Sequence, residues 1–564
     1  MVKRLINLIH KEWSGVTEAA FLIAGFAFIS QLLALVRDRS LAHMLGPGPT
    51  LDVYYASFRL PDLLTYSVSA MVSINVLIPF VLARLGNGEK ENVEKAKRFL
   101  SETFTSFVMA MAFFCLVLFV FMPYLAPLIA PGFVGEQLHA LIVTSRIMLL
   151  SPFLFGISNL FGTVTQLYKK FFVYALCPVF YNLGIISGIY IFYPHFGIIG
   201  LSFGVIIGAA MHALIQIPVL ISHTFMPQFV SRINVSEIKK VFMLSLPRTL
   251  GLSLNSFAIL ALISMASTLR EGSISIFSFA YNLQAVPISI VGVSYSVAAF
   301  PMLASAFTLG KIKEYRNHVL TAARQIIFWS VPITCLFIVL RAQVVRVILG
   351  SGHFSWADTR LTAASLAFFA LAITSQSLIV LVSRAYYAAG KTWRPLLVNI
   401  MFTLSEIALA YGLLYVFKHS LFTQHFFESL LRVGDVAGTE TLMLPLGYSI
   451  GIILNFAGLW YLFKKDFLQD ERSNLRGTFF QVTGASIIMS FITYQVLVVM
   501  GTFFDLDSGL GIFLQGLSAG VVGIISAIFV LMMLENQECK EVIHALRKRF
   551  WKASIMVPDQ KEIL

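Results

Sequence analysis

Arg37, Asp38, Arg39, Asp52, Arg59 and Asp62 crowd into the first two long apolar stretches of the chain. A charge inside a membrane-spanning helix costs about 2.5–3.5 kcal/mol or more at the helix centre unless a wet cavity or a partner shelters it. Each is therefore a functional candidate. Arg59 follows Asp52 by seven residues, two helical turns along the same face. Asp62 follows Arg59 by three and can pair with it locally. One reading is a cationic groove for an anionic head group, because guanidinium forks bind phosphate bidentately. The other is that Arg37, Asp38 and Arg39 lie at a helix end, snorkelling or neutralising one another.

Arg146 sits about a third of the way into a later apolar stretch and is a second candidate to line a cavity. Arg248 and Arg384 fall nearer a helix end, where anchoring of topology is the stronger reading. A different chemistry is suggested by Asn399, Thr403 and Glu406, spaced i, i+4 and i+7. That spacing puts a carboxylate and two neutral oxygens on one helix stripe. Hard cations take such oxygens, and a carboxylate also carries protons. The same residues could equally form an interhelical hydrogen-bond seam.

The elements that must position these side chains are membrane helices. Hydrophobic residues make up 58% of the 564 residues and charged ones 12%. A soluble globule carries about a quarter charged residues, so this chain lacks the polar surface to cover itself. Long apolar segments recur end to end, and backbone amides in lipid must be satisfied internally, which selects helices over open sheet. About fourteen spans are expected, near 19–44, 51–84, 99–127, 138–165, 172–193, 198–222, 237–268, 273–307, 318–340, 360–389, 395–417, 443–463, 477–502 and 509–534. They are numbered 1 to 14 below.

The net charge of +13 could suggest nucleic acid, but the cations sit mainly in short loops. Loops after even spans carry Arg84, Lys90, Lys95, Lys97 and Arg98, then Lys169 and Lys170, Lys239 and Lys240, Lys311 and Lys313, Lys391 and Arg394, Lys464 and Lys465. Loops after odd spans hold few, and both ends of the chain are basic. This alternation is topogenic and places both termini in the cytoplasm. Met1–Ser14 is basic and amphipathic with no small-residue cleavage motif after it, so the first apolar segment is expected to remain as a helix. The segment 418–441 reads as an external amphipathic helix plus loop, lying flat at the interface rather than binding a partner.

No metal or cofactor is expected. The four cysteines (Cys115, Cys177, Cys335, Cys539) are scattered, the eleven histidines are mostly isolated, and no hydrolase, P-loop or zinc-protease motif occurs. Transport, if the chain performs it, would run on a monovalent cation or proton gradient, on membrane potential, or passively.

The chain also repeats itself faintly. Tyr55–Leu60 resembles Ser278–Leu283, and Pro178-x-x-x-Asn182 matches Pro395-x-x-x-Asn399. An offset of six spans keeps the two halves in the same orientation, a parallel repeat used by transporters with a site between lobes. The expected division is an N-terminal lobe of spans 1–6 (1–235), a C-terminal lobe of spans 7–12 (236–470), and spans 13–14 with a basic cytoplasmic tail (471–564).

In order and spacing, these motifs resemble the MurJ/MviN family of lipid II flippases, in the multidrug/oligosaccharidyl-lipid/polysaccharide exporter superfamily. The motifs are Arg37-Asp38, Gly46, Asp52 and Arg59-Leu60-Pro61; Pro131-Gly132-Phe133; Gly352-x-Phe354 with Asp358-Thr359; and Tyr387-Ala388-x-Gly390-Lys391-Thr392 before Pro395. Arg146 and Pro247-Arg248 also fall where the family has similar residues. The likeness covers about residues 15–465. It departs at Gln31, where the family has arginine, at Thr65, Tyr66 and Ala70, where it has Arg-Arg and a glutamate, and at Tyr281, Asn282 and Ala285, where an A-D-R-L…E motif is usual.

The resemblance implies an all-α fold of two pseudo-symmetric six-helix lobes plus two further helices, and no enzyme activity. It implies translocation of a polyprenyl-diphosphate-linked peptidoglycan precursor across the bacterial cytoplasmic membrane. Arg37, Arg59, Asp52, Asp38, Arg146 and Asn282 form the expected substrate set. Membrane lipids and cell-envelope synthesis proteins are the implied partners. An exporter of another polyprenyl-linked glycan and a transport-inactive scaffold remain open alternatives.

Overall fold

The second apolar stretch does not form one rod. It breaks into Pro49–Ser57, Arg59–Ser67 and Ile74–Leu85. Pro49 starts the first piece, where a missing N–H costs nothing. Pro61 lies in the first turn of the second, where its absent N–H would have been an orphan in any case. The break at Phe58 is what presents Arg59 as a helix-start residue rather than a mid-helix charge.

A computed structural model of the chain describes residues 16–68, 72, 74–86, 90–468 and 475–551. The basic N-terminal segment 1–15, the last residues 552–564 and the side chains of Pro247, Arg248 and 545–551 lie outside the described residues. The chain is all-helical. Eleven helices among the described residues are long and apolar enough to cross a membrane, or twelve if Trp356–Ala370 and Ile373–Ala388, bent by 43° at their junction, count as one span. The two further spans expected from the sequence are the 29-residue helix Val16–Met44, whose last turns carry Arg37, Asp38 and Arg39, and the broken second stretch.

Contacts divide the chain into two units. The first comprises 1–286, 344–369 and 391–458. Within it, loops after odd-numbered spans meet one another at one end. His353 N donates to His43 O at 3.1 Å, Gly132 N donates to Ser267 Oγ at 3.2 Å, and Arg39 Nη1 donates to Val347 O at 2.7 Å. The last places a cation at the carboxyl end of a helix, where the dipole favours it. At the other end, loops after even spans meet: Arg84 pairs with Glu237 at 2.6 Å, and Glu102 accepts from Asn234 N.

Spans 5 and 6 touch backbone to backbone. A Cβ on Gly184 would stand 2.2 Å from Gly208 Cα, and one on Gly204 would stand 2.5 Å from Gly188 Cα. This small-residue seam is how helices associate where lipid supplies no hydrophobic drive.

The second unit comprises 287–343, 370–390 and 459–564. In it, Ile312–Val339 packs on Leu475–Met500, which packs on Gly509–Met533. Buried polar contacts hold these helices. Gln343 Nε2 donates to Gln515 Oε1 at 3.3 Å, and Arg324 pairs with the buried Glu538 at 3.1 Å.

Candidate functional site

Arg37, on span 1, turns into the protein. Its Nε and Nη2 both donate to Asp38 Oδ1, at 2.9 and 2.8 Å, and Nη1 reaches Asn182 Oδ1 on span 5 at 3.4 Å. Asp38 Oδ2 accepts from Asn282 Nδ2 on span 8 at 3.1 Å. The carboxylate thus orients the guanidinium and ties it to span 8. A guanidinium carries five N–H groups, so Arg37 keeps donors on both Nη atoms for a further acceptor, and its side chain remains 21% exposed. Tyr54, Tyr55 and Tyr181 lie within its electrostatic reach.

Arg59 is half-buried and anchored only through Nε, which donates to Tyr55 O at 3.0 Å. It closes no ion pair with Asp62 among the described residues, so both Nη groups stay open. It acts electrostatically on Tyr66 and Tyr281. Two arginines with spare planar donors, one on span 1 and one on span 2, are what an anionic group with several oxygens needs.

Asp52 has another use. It is 2% exposed. Its Oδ2 accepts from Gly272 N at 2.6 Å, while Oδ1 accepts from Ser275 N at 2.7 Å and Ser275 Oγ at 2.5 Å. The carboxylate therefore caps the start of helix Ser273–Pro287, satisfying orphan N–H groups at a positive dipole end. Both oxygens are occupied. Arg146 contacts span 3: its Nε donates to Phe119 O at 2.9 Å, and its guanidinium lies 4.7 Å from the Phe119 ring centroid.

The second polar site lies on span 11. Thr403 and Glu406 are buried, Glu406 to 4% exposure. Glu406 fits because span 12 offers glycine: a Cβ on Gly451 would stand 2.6 Å from Glu406 Cβ, and one on Gly447 would stand 2.5 Å from Ala410 Cα. Among the described residues, Glu406 Oε1, Asn399 Oδ1 and Asn455 Oδ1 have no hydrogen-bond partner. Three buried oxygens without donors are an unusual cost unless a cation or proton satisfies them. Tyr281 bridges the two sites. Its ring lies edge-on to that of Tyr448, centroids 5.9 Å apart, and it is within electrostatic reach of both Arg59 and Glu406.

The sequence pattern marks Asn182 only as part of a repeat and gives no hint of Ser30, to which Asn182 donates at 3.1 Å. Ser275, Asn455 and Tyr281 are likewise partners that the sequence alone does not single out. The position of Asn182 in the matching Pro-x-x-x-Asn motif was the available signal.

This many-helix membrane fold with a broken second span is shared with solved structures. One described as lipid II flippase MurJ in an inward closed conformation superposes with a TM-score of 0.72 at 20% identity, over 92% of this chain and 100% of that one. A MATE-family multidrug transporter in an inward-facing conformation gives 0.60 at 14% identity, over 80% of this chain and 99% of that one. The chain belongs to the family described as lipid II flippase MurJ, whose profile matches residues 41–513. A probable lipid II flippase MurJ of Borreliella burgdorferi is 24% identical over 83% of this chain and 94% of its own length. The lipid II flippase MurJ of Burkholderia cenocepacia is 23% identical over 84% and 88%. Membership places the chain among multi-pass membrane transporters, not enzymes.

Proposed function

We propose that the chain carries lipid II, a polyprenyl-diphosphate-linked peptidoglycan precursor, from the cytoplasmic to the outer leaflet of the bacterial cytoplasmic membrane by alternating access. The supporting observation is the pair Arg37 and Arg59, each turned inward with unused Nη donors. Both termini would be cytoplasmic, and the two six-span lobes, 1–235 and 236–470, would rock about the site. Arg37, steadied by Asp38, Asn182 and Asn282, and Arg59 would hold the diphosphate. Asp52 would serve as the latch between spans 2 and 8 that must release Gly272 and Ser275 when the outer side opens. Arg146 would stay outside the diphosphate grip, near span 3.

Glu406 with Asn399, Thr403 and Asn455 would bind the coupling proton or monovalent cation, and Tyr281 would pass its state to Arg59. Cell-envelope synthesis proteins would be its partners. Replacement of either Arg37 or Arg59 by Ala should abolish rescue of a strain depleted of its own lipid II flippase, with the protein still present in the membrane. Rescue by both variants would support a scaffold instead.

A second reading has one observation in its favour. Where the family resemblance calls for arginine, Asn282 supplies a neutral donor to Asp38, so the site carries one cation fewer. A smaller or less anionic polyprenyl-linked glycan would suit it. Failure to rescue, together with retention of a different lipid-linked sugar on purification, would select that reading.

A further inference from the structure

Helix Leu421–Leu431 follows span 11 after a single residue, Ser420, whose side chain caps it by accepting from Thr423 N. Its inward face is mixed, with Phe427 and Leu431 packed on the apolar cluster beside a buried carboxylate. Glu428 is buried, and its Oε1 accepts from Thr439 Oγ1 at 2.7 Å and Gln424 Nε2 at 3.2 Å. Beyond the helix, Arg360 donates to the carbonyl of Arg432 and pairs with Asp435. Leu431 and Val433 join the apolar cluster of Leu361, Ala364, Leu414 and Phe417. These contacts fix the helix's rotation about its axis.

The rotation they fix leaves large apolar side chains outward as well. Phe422, at 81% exposure, Phe426 and Leu430 stand outward in an i, i+4, i+8 stripe. His425 and Ser429, headed by Leu421 at the helix start, form the adjoining exposed stripe. The outward surface is thus itself split into an apolar edge and a polar edge, the pattern of a helix lying in a membrane interface.

The apolar edge continues a surface that already faces lipid. Leu404, Tyr411 and Tyr415 are exposed along span 11 and run up to the turn at Ser420. The two tyrosines sit near that end, where aromatic belts meet head groups.

We infer that Leu421–Leu431 is an interfacial anchor, with Phe422, Phe426 and Leu430 buried among lipid acyl chains and His425 and Ser429 at the head groups. The leaflet is the outer one on the charge-derived topology. The anchor would hold the end of span 11, the helix that carries Glu406.

The test uses the full chain in phospholipid nanodiscs, its four native cysteines replaced, with single nitroxide labels at 422, 425, 426, 429 and 430. Accessibility to oxygen, which partitions into lipid, is compared with accessibility to a polar nickel chelate. The inference predicts a several-fold higher oxygen-to-nickel ratio at 422, 426 and 430 than at 425 and 429. Equal, nickel-accessible behaviour at all five positions would overturn it. So would exclusion of both reagents at 422, 426 and 430, which would mean that protein covers the stripe. A Phe422→Trp variant with the six native tryptophans replaced by phenylalanine, read by quenching with lipids brominated on the acyl chain, probes the same placement without a label: quenching supports the anchor, and its absence overturns it.

Discussion

Two polar sites in the first unit solve the problem of buried charge in opposite ways. Around Arg37, charge is answered within the protein: Asp38 neutralises it, Asn182 and Asn282 complete the contacts, and only spare N–H capacity is left over. Around Glu406, charge is left unanswered: a buried carboxylate oxygen and two amide oxygens have no donor. On the proposed function, the first arrangement would receive a large anion without waiting for another ion, and the second would be completed by a proton or cation.

The contrast can be broken by making the answered site unanswered. Asp38→Ala leaves an unpaired guanidinium inside the protein, a change that costs about 3–5 kcal/mol in buried pairs. It should lower the unfolding temperature in a thermal-shift assay in detergent. Arg37→Ala strands the buried Asp38 carboxylate in turn, so it should be destabilised as well, and inactive in rescue. The double variant Arg37→Ala, Asp38→Ala removes both charges and should lose less than the sum of the two single losses. If the two losses simply added, Asp38 would not be serving Arg37.

Gly451→Leu attacks the other site through shape. A side chain at 451 would strike Glu406, and overpacking of this kind costs about 1–3 kcal/mol. Transport should fall while the response to Arg37 variants stays additive. Glu406→Gln keeps the shape and removes the titratable group. It should erase the dependence of transport on the proton or sodium gradient while leaving substrate retention within a few-fold of wild type. Loss of retention instead would merge the two sites into one.

The smallest effect concerns Asp435. Hydrogen bonds from Arg360 hold its carboxyl below the usual carboxylate range. A group lowered in the folded state stabilises above its unfolded pKa, near about 4, and loses that contribution as pH falls through the lowered value. Nitroxide mobility at 425 should therefore rise only in strongly acidic buffer, and Asp435→Asn should remove that rise.

The helical class and the order of spans were legible in the sequence because apolar length and loop charge report directly on the bilayer. The pairing of Arg37 with Asp38 was legible because the two are adjacent. The capping role of Asp52 was not, because its partners Gly272 and Ser275 lie more than two hundred residues away and offer backbone donors that leave no sequence trace. Arg146 reads as a cavity cation from its depth alone, and the sequence gives no sign of its contact with Phe119 on span 3, because depth does not say which neighbour a helix faces. Span 2 reads as one long stretch because no proline or glycine stands at Phe58 or between Ser67 and Ile74 to mark the ends of its pieces.

The central claim is that Arg37 and Arg59 together grip a diphosphate, and native mass spectrometry of lipid retained on purification tests it most directly. Wild-type protein from bacterial membranes should carry a polyprenyl-diphosphate glycolipid. The Arg37→Ala, Arg59→Ala double variant should lose at least about tenfold in occupancy, about 1.4 kcal/mol, while still binding ordinary phospholipid. Equal retention of the diphosphate lipid by both proteins would contradict the claim.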